Sequence, residues 1–150
     1  VAGPNIVPHL TKNGINTCGR VSAANTSSDG GGTIATDIFL VATGDATNGS
    51  FVEFVRVFMR SSAAATNSTL TVLRLFASTQ TSGATTNANT SLIGEWVLPI
   101  QSADNTVTQT SFIDIGINWR LPAGQTLLAT AHQGVAANSA IGCQAFGGDY

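Results

Sequence analysis

Charge is the scarcest commodity in this sequence. Only 9% of its 150 residues are Asp, Glu, Lys or Arg, against about 25% in an average globular domain. The six cations (Lys12, Arg20, Arg56, Arg60, Arg74 and Arg120) are scattered, and the net charge is −2. Nucleic-acid binding needs clustered Lys or Arg to neutralise phosphates, so no nucleic-acid partner is expected. Long hydrophobic runs are also missing. None approaches the ~20 apolar residues of a membrane-spanning helix, and the first residues lack the basic-then-apolar pattern of a secretory signal. No membrane partner is expected, and the chain reads as soluble.

Cysteine is limited to Cys18 and Cys143. They form no CxxC pair, which argues against a zinc ribbon or a thioredoxin-type centre. Two readings of them stay open: a pair of buried thiols in the first and last strands, or a disulfide joining those strands and closing a long loop. Chemistry-bearing motifs are equally thin. There is no GxSxG elbow, and a Ser-His-Asp site would need His132 to meet Asp114 and a serine. His9 lies in a Pro-containing stretch. Asp29-Gly-Gly-Gly32 lacks the Lys-Ser/Thr of a phosphate loop, and no acidic spacing of a calcium hand follows it. Glu53, Glu95, Asp37 and Asp114 fall in expected strands, where pairing with Arg56, Arg74 or Arg120 across a sheet is the plain expectation. Trp96 and Trp119 sit in apolar alternations and read as core, although an exposed aromatic there would suit stacking on a sugar. No catalytic, cofactor-binding or metal-binding residue is assigned, and the chain is expected not to be an enzyme.

What is present is Thr, Ser, Asn and Gly around a 43% apolar complement. These residues favour strands and turns over exposed helices. A chain of this size buries roughly 68–70% of its unfolded surface, enough for one core. Residues 1–13 carry Pro4 and Pro8, which fix φ and donate no hydrogen bond, so this segment reads as an extended arm with Ile6, Val7 and Leu10 to bury. Residues 14–150 read as one domain. Strands are expected over 15–23, 33–43, 51–60, 69–77, 91–100, 106–119, 125–132 and 140–146, separated by clusters such as Asp29-Gly-Gly-Gly32 and Asn48-Gly49. In the third strand Arg56 and Arg60 are expected to share a face with Val52, Phe54 and Phe58. In the sixth, Ser111, Ile113, Ile115, Ile117 and Trp119 alternate with Phe112, Asp114, Gly116 and Asn118, a period of two. Residues 78–90 read as a polar loop without core residues. Eight antiparallel strands predict an all-β two-sheet sandwich, with a jelly roll the leading topology because it sets first and last strands side by side.

Gly32-Thr-Ile-Ala-Thr36, Asn48-Gly-Ser-Phe-Val-Glu-Phe-Val-Arg-Val57, Thr71-Val-Leu-Arg-Leu-Phe76, Leu121-Pro-Ala-Gly-Gln-Thr-Leu127 and Phe146-Gly-Gly-Asp-Tyr150 follow one another in this order. From about Asn25 onward the chain thereby resembles small virion proteins of tailed bacteriophages, similar to the head-decoration (cement) class. The Cys18/Cys143 pair and the 78–90 loop are not features of that group. The resemblance implies a jelly roll that sits on the capsid surface as a homotrimer, assembled in the host cytoplasm and bound to the major capsid protein and to copies of itself. A symmetric lattice calls for closed homo-oligomers. Ile6, Val7 and Leu10 of the arm, with Asp149 and Tyr150 at the other end, are then the expected interface residues. A tail or fibre component and a carbohydrate-binding or adhesion module are the alternatives.

Overall fold

The computed structural model describes residues 13–61, 66–67, 70–100, 102–103, 112–135 and 138–150. The expected arm, with Ile6, Val7 and Leu10, lies outside the described residues except for Asn13. The strands in chain order are β1 (Gly14–Val21), β2 (Gly32–Thr33), β3 (Phe39–Thr43), β4 (Ser50–Ser61), β5 (Thr66–Asn67), β6 (Thr71–Ser78), β7 (Ala84–Thr85), β8 (Thr90–Leu98), β9 (Ser102–Ala103), β10 (Ile113–Leu121), β11 (Thr126–Ala131) and β12 (Ser139–Asp149). Strand-rich composition and frequent turn residues thus produce an all-β chain. All eight expected strands have a counterpart among the longer elements, with residues 106–111 of the sixth, Ser111 included, lying outside the described residues.

Two antiparallel four-stranded sheets form the body, in the orders β1-β12-β4-β10 and β3-β11-β6-β8, with small pairs β2-β7 and β5-β9 beside them. The sheets face each other across one apolar core. Val55, Val57 and Met59 from the first sheet meet Leu73, Leu75 and Leu127 from the second, all essentially excluded from solvent. Alternate residues point away from this layer, as the two-residue period of a strand demands.

One side of the sandwich is drawn tight where edge strands β1 and β3 meet. The Thr17 hydroxyl donates to the Val41 carbonyl at 2.7 Å. A Cβ at Gly19 would stand 2.5 Å from the Leu40 carbonyl oxygen, so only glycine allows this approach.

The centre of the second sheet's outer face is covered by the chain's own turn, while Leu40, Leu92 and Val97 around it stay exposed. Ile38, Phe76 and Leu128 form a second, fully buried cluster, with Ile34 against it. The expected single strand over 33–43 is therefore corrected to two pieces. Between them Ala35 takes φ 72°, the amides of Thr36, Asp37 and Ile38 donate back to the Thr33 carbonyl, and the Asp37 carboxylate accepts from the Thr33 amide at 2.6 Å. This turn drops Ile38 onto Phe76 instead of extending the ladder. The 78–90 segment is also more structured than expected: β7 pairs with β2, and Thr85 is buried.

The third expected strand needs a correction of facing. Pairing with β12 shifts between Phe146 and Gly147, opposite Phe54 and Val52, so that Glu53 is an inserted residue. A bulge of this kind reverses the side on which following residues emerge. Val52 consequently joins the core with Val55 and Val57, while Phe54, Arg56 and Phe58 remain on the outside.

Replacing Gly19 by Val should cost about 2–3 kcal/mol, because the new side chain must push β3 off β1. Denaturant unfolding of Gly19→Val against the parent measures it; an unchanged midpoint would contradict the close approach.

Candidate functional site

The outer face of the sheet β1-β12-β4-β10 is organised in rows set by strand register. One row aligns Asn16, Phe146, Phe54 and Gly116; the next aligns Cys18, Gln144, Arg56 and Asp114; a third contains Arg20, Gly142 and Phe58. Directly opposed side chains on one face are close enough to interact, and here they do. Phe54 and Phe146 stack with ring centroids 4.7 Å apart and planes 13° from parallel, a pairing worth about 0.5–1.5 kcal/mol beyond its buried area. Phe58 meets Phe112 at 5.8 Å in a tilted arrangement. Between these pairs lies Arg56. Its guanidinium carbon is 5.9 Å from the Phe54 ring centroid and 5.5 Å from those of Phe112 and Phe146.

The same guanidinium makes a two-point contact with Asp114, Nε donating to Oδ1 at 2.7 Å and Nη2 to Oδ2 at 2.8 Å. Planar, bidentate pairing of this type fixes orientation as well as charge. The hydrogen bond from Arg56 holds the Asp114 carboxyl below its usual value, and Asp114 in turn raises Arg56. Gln144 extends the row by donating to the Asn16 side chain. Phe112 is 54% exposed. The second expected cross-strand pair is also present on the other sheet, where Arg74 contacts Glu95.

At the end of this face where β1 begins and β12 finishes, Phe51, Phe54, Phe146 and Tyr150 line a groove of about 670 Å³ together with Gly147 and the exposed Glu53. Gly147 presses on the Phe51 carbonyl so closely that no side chain could stand there. Asp149 and Tyr150 are half-buried and tied to their own subunit. The Asp149 carboxylate accepts from the Ser50 hydroxyl at 2.5 Å, and its amide donates to the Asn13 carbonyl at 2.8 Å. The Tyr150 amide donates to the Gly49 carbonyl, its carbonyl accepts from the Asn48 side chain at 3.3 Å, and Arg120 lies 5.6 Å from its ring centroid. These contacts shape the groove from within the chain.

The cysteines lie on neighbouring strands, as a first-to-last pairing requires, but Gly19 rather than Cys18 stands opposite Cys143. This offset of one residue sends the thiols to opposite faces of the sheet. Both are free; Cys143 is buried and Cys18 exposed, which corrects both the disulfide and the reading of two buried thiols. Burial pushes the Cys143 thiol far above its ordinary pKa, with a smaller contribution from Cys18. Of the tryptophans, Trp96 packs against the core, whereas Trp119 is 38% exposed. It stands on β10, the edge strand of its sheet among the described residues, beyond an irregularity in the pairing after Gly116. His132 follows β11 in the second sheet, and Asp114 faces outward from the first, bound to Arg56. That pair is not brought together. Among the described residues no three His, Cys, Asp or Glu side chains are grouped to hold a metal ion.

Comparison with protein-family models, curated proteins and solved structures finds no match to this chain.

Two measurements check this geometry. Asp114 should titrate below the ordinary carboxylate range by NMR, and Arg56→Gln should return it upward. Because its native pKa is lowered, the stability it contributes is present above the ordinary pKa and is lost as pH falls through the native value. A native protein treated with a thiol-reactive reagent should lose one thiol quickly, Cys18, and release the second only on unfolding. Equal rates for both thiols would contradict the placement of Cys143 in the core.

Proposed function

We propose that this chain is a bacteriophage virion structural protein that decorates the capsid, binding the major capsid protein and neighbouring copies of itself. The observation that carries the reading is the clustering of aromatic rings around one guanidinium on the outer face of the first sheet. On one sheet Ile38 covers Phe76 and Leu128, and the exposed Leu40, Leu92 and Val97 of that face stand without aromatic partners. The other presents Phe54, Phe146, Phe58 and Phe112 around Arg56. Aromatic residues and Arg dominate the energetic centres of protein interfaces. A sheet face carrying four phenylalanines around one guanidinium fits a protein partner with a matching apolar surface and hydrogen-bond acceptors.

Two further features support the same reading. Counting only the eight longer strands, the sheets run 1-8-3-6 and 2-7-4-5, an order in keeping with a jelly roll, the architecture common among capsid proteins. The order of sequence motifs resembling phage decoration proteins points the same way. We assign the ladder around Arg56 as the capsid-facing surface.

A second reading has one observation in its favour: exposed Trp119 offers a flat ring of the kind that stacks on sugars. A carbohydrate-binding module should show saturable, glycan-dependent quenching of Trp fluorescence that is lost in Trp119→Ala.

The test of the main proposal uses heads of the encoding phage prepared without this protein. The intact chain should bind them and raise their resistance to heat. Phe112→Glu and Arg56→Glu should each weaken binding by roughly tenfold or more while leaving the unfolding midpoint close to that of the parent. Failure of the parent chain to bind heads, or undiminished binding by both variants, would refute the assignment.

A further inference from the structure

We infer that Asn13-Gly14 is a self-modification site, where the folded chain slowly converts Asn13 to aspartate and isoaspartate and so loosens the end of β12. The chemistry needs no partner and is independent of the capsid assignment.

The sequence holds two Asn-Gly steps, Asn13-Gly14 and Asn48-Gly49. Such a step can react with itself because glycine has no Cβ to hinder its amide from approaching the asparagine side chain. The glycine nitrogen gives up its proton to hydroxide and attacks Cγ of the asparagine. An N–Cγ bond forms, the Cγ–Nδ2 bond breaks, and Nδ2 leaves as ammonia with a proton taken from water, which regenerates the hydroxide. Water then opens the resulting cyclic imide at either carbonyl. Cleavage of the N–Cγ bond gives aspartate; cleavage at the former main-chain carbonyl gives isoaspartate, with the chain now running through Cγ. The balance is one side-chain amide and one water giving one carboxyl group and one ammonia.

The fold holds one of these steps and leaves the other open. At Asn48-Gly49 every reacting group is engaged. The Gly49 amide, which would be the nucleophile, donates to the Asp45 carbonyl at 3.1 Å, and Gly49 is buried at φ 77°. The Asn48 amide donates to the Asp45 carboxylate at 2.8 Å. Asn48 Nδ2, the leaving group, donates to the Tyr150 carbonyl at 3.3 Å.

Asn13-Gly14 is arranged differently. Asn13 and Gly14 are both exposed, and a Cβ built on Gly14 would have nothing within 4 Å. The Asp149 amide donates to the Asn13 carbonyl at 2.8 Å, so Asn13 and Asp149 form a hydrogen-bonded pair. Such pairs alternate along an antiparallel ladder. Gly14, opposite Gly148, therefore turns its amide away from β12. Among the described residues β1 is the edge of its sheet, and no neighbouring strand receives that amide. The nucleophile is open to hydroxide, and it is held next to its target by the covalent chain itself, the circumstance that makes intramolecular attack efficient.

Conversion would act on the contact that ends β12. A carboxylate at position 13 stands opposite Asp149, and like charges directly opposed across a ladder repel. In the isoaspartate form the former Asn13 carbonyl leaves the main chain, which displaces the acceptor of the Asp149 amide.

The experiment incubates the full-length protein at mildly alkaline pH, folded and in parallel in urea, and follows deamidation by mass spectrometry of tryptic peptides. Cleavage after Lys12, Arg20 and Arg56 places the two steps on separate peptides, 13–20 and 21–56. In the folded protein Asn13 should convert about tenfold faster than Asn48 or more, and in urea the two rates should fall within about threefold, because unfolding releases Asn48. Gly14→Val, for which the structure has room, should slow conversion at Asn13 by about tenfold through hindrance at its Cβ. Asn48 keeping pace with Asn13 in the folded protein, or Asn13 reacting only in urea, would overturn the inference. Hydrogen exchange tests the consequence: Asn13→Asp should speed exchange of the Asp149 amide about threefold or more, whereas the neutral Asn13→Gln should not. Exchange at Asp149 that ignores the charge at position 13 would refute the loosening of β12.

Discussion

The first sheet depends on the placement of β12 between β1 and β4. All eleven of its residues pair with β4 on one side and residues 141–148 pair with β1 on the other, joining positions separated by almost the whole chain. Without this strand, β1 has no partner in its sheet, and the Phe54–Phe146 stack and the Gly147–Phe51 contact cannot exist. Pairing between distant segments must meet the entropy of loop closure before it gains anything. The last residues therefore complete the sheet rather than decorate it, and the ties from Asp149 to Ser50 and from Tyr150 to Asn48 and Gly49 hold its final turn in place. The aromatic ladder and the groove are both consequences of this one insertion.

Much of the architecture was legible from local signals, because strands in this chain are bounded by unambiguous turn residues. What could not be read was parity. The inserted Glu53 moves Val52 from the outer face to the core, and alternation counted along the sequence has no means of locating one extra residue. The adjacent Gly147-Gly148 was the available hint, since glycines within a strand often mark bulges. The cysteines failed for a related reason. Neighbouring strands were inferred correctly from topology, but one residue of register decides whether two side chains share a face, and no residue near Cys18 declares it. The break after Thr33 was hidden by β-branched residues that suit a strand yet were needed to cover Phe76.

The candidate surface shows the same division. Phe54, Arg56 and Phe58 were placed on one face, and pairing of Asp114 with an arginine was expected, because both follow from period-two spacing and the scarcity of charge. Their meeting with Phe112 and Phe146 was not. It depends on strands β10 and β12 flanking β4 in a particular register, which is a property of the folded sheet.

Asp114 and Arg56 are the reason to treat this face as specific rather than merely sticky. Four phenylalanines alone would attract any apolar surface, a liability in a protein whose charge gives little mutual repulsion. An ion pair set among them changes the terms. A partner that approaches must satisfy or avoid the guanidinium and the carboxylate, since leaving either desolvated and unpaired is costly, and wrong partners are rejected on that account. The opposite sheet provides the internal contrast. There Phe76 and Leu128 would form an equally apolar outer patch, and the chain covers them completely with Ile34, Ile38 and the turn between them. The two outer faces thus differ in kind: one buries its central Phe76 and Leu128 beneath a turn of the chain, and the other sets a paired charge amid aromatic rings that stay partly open to solvent.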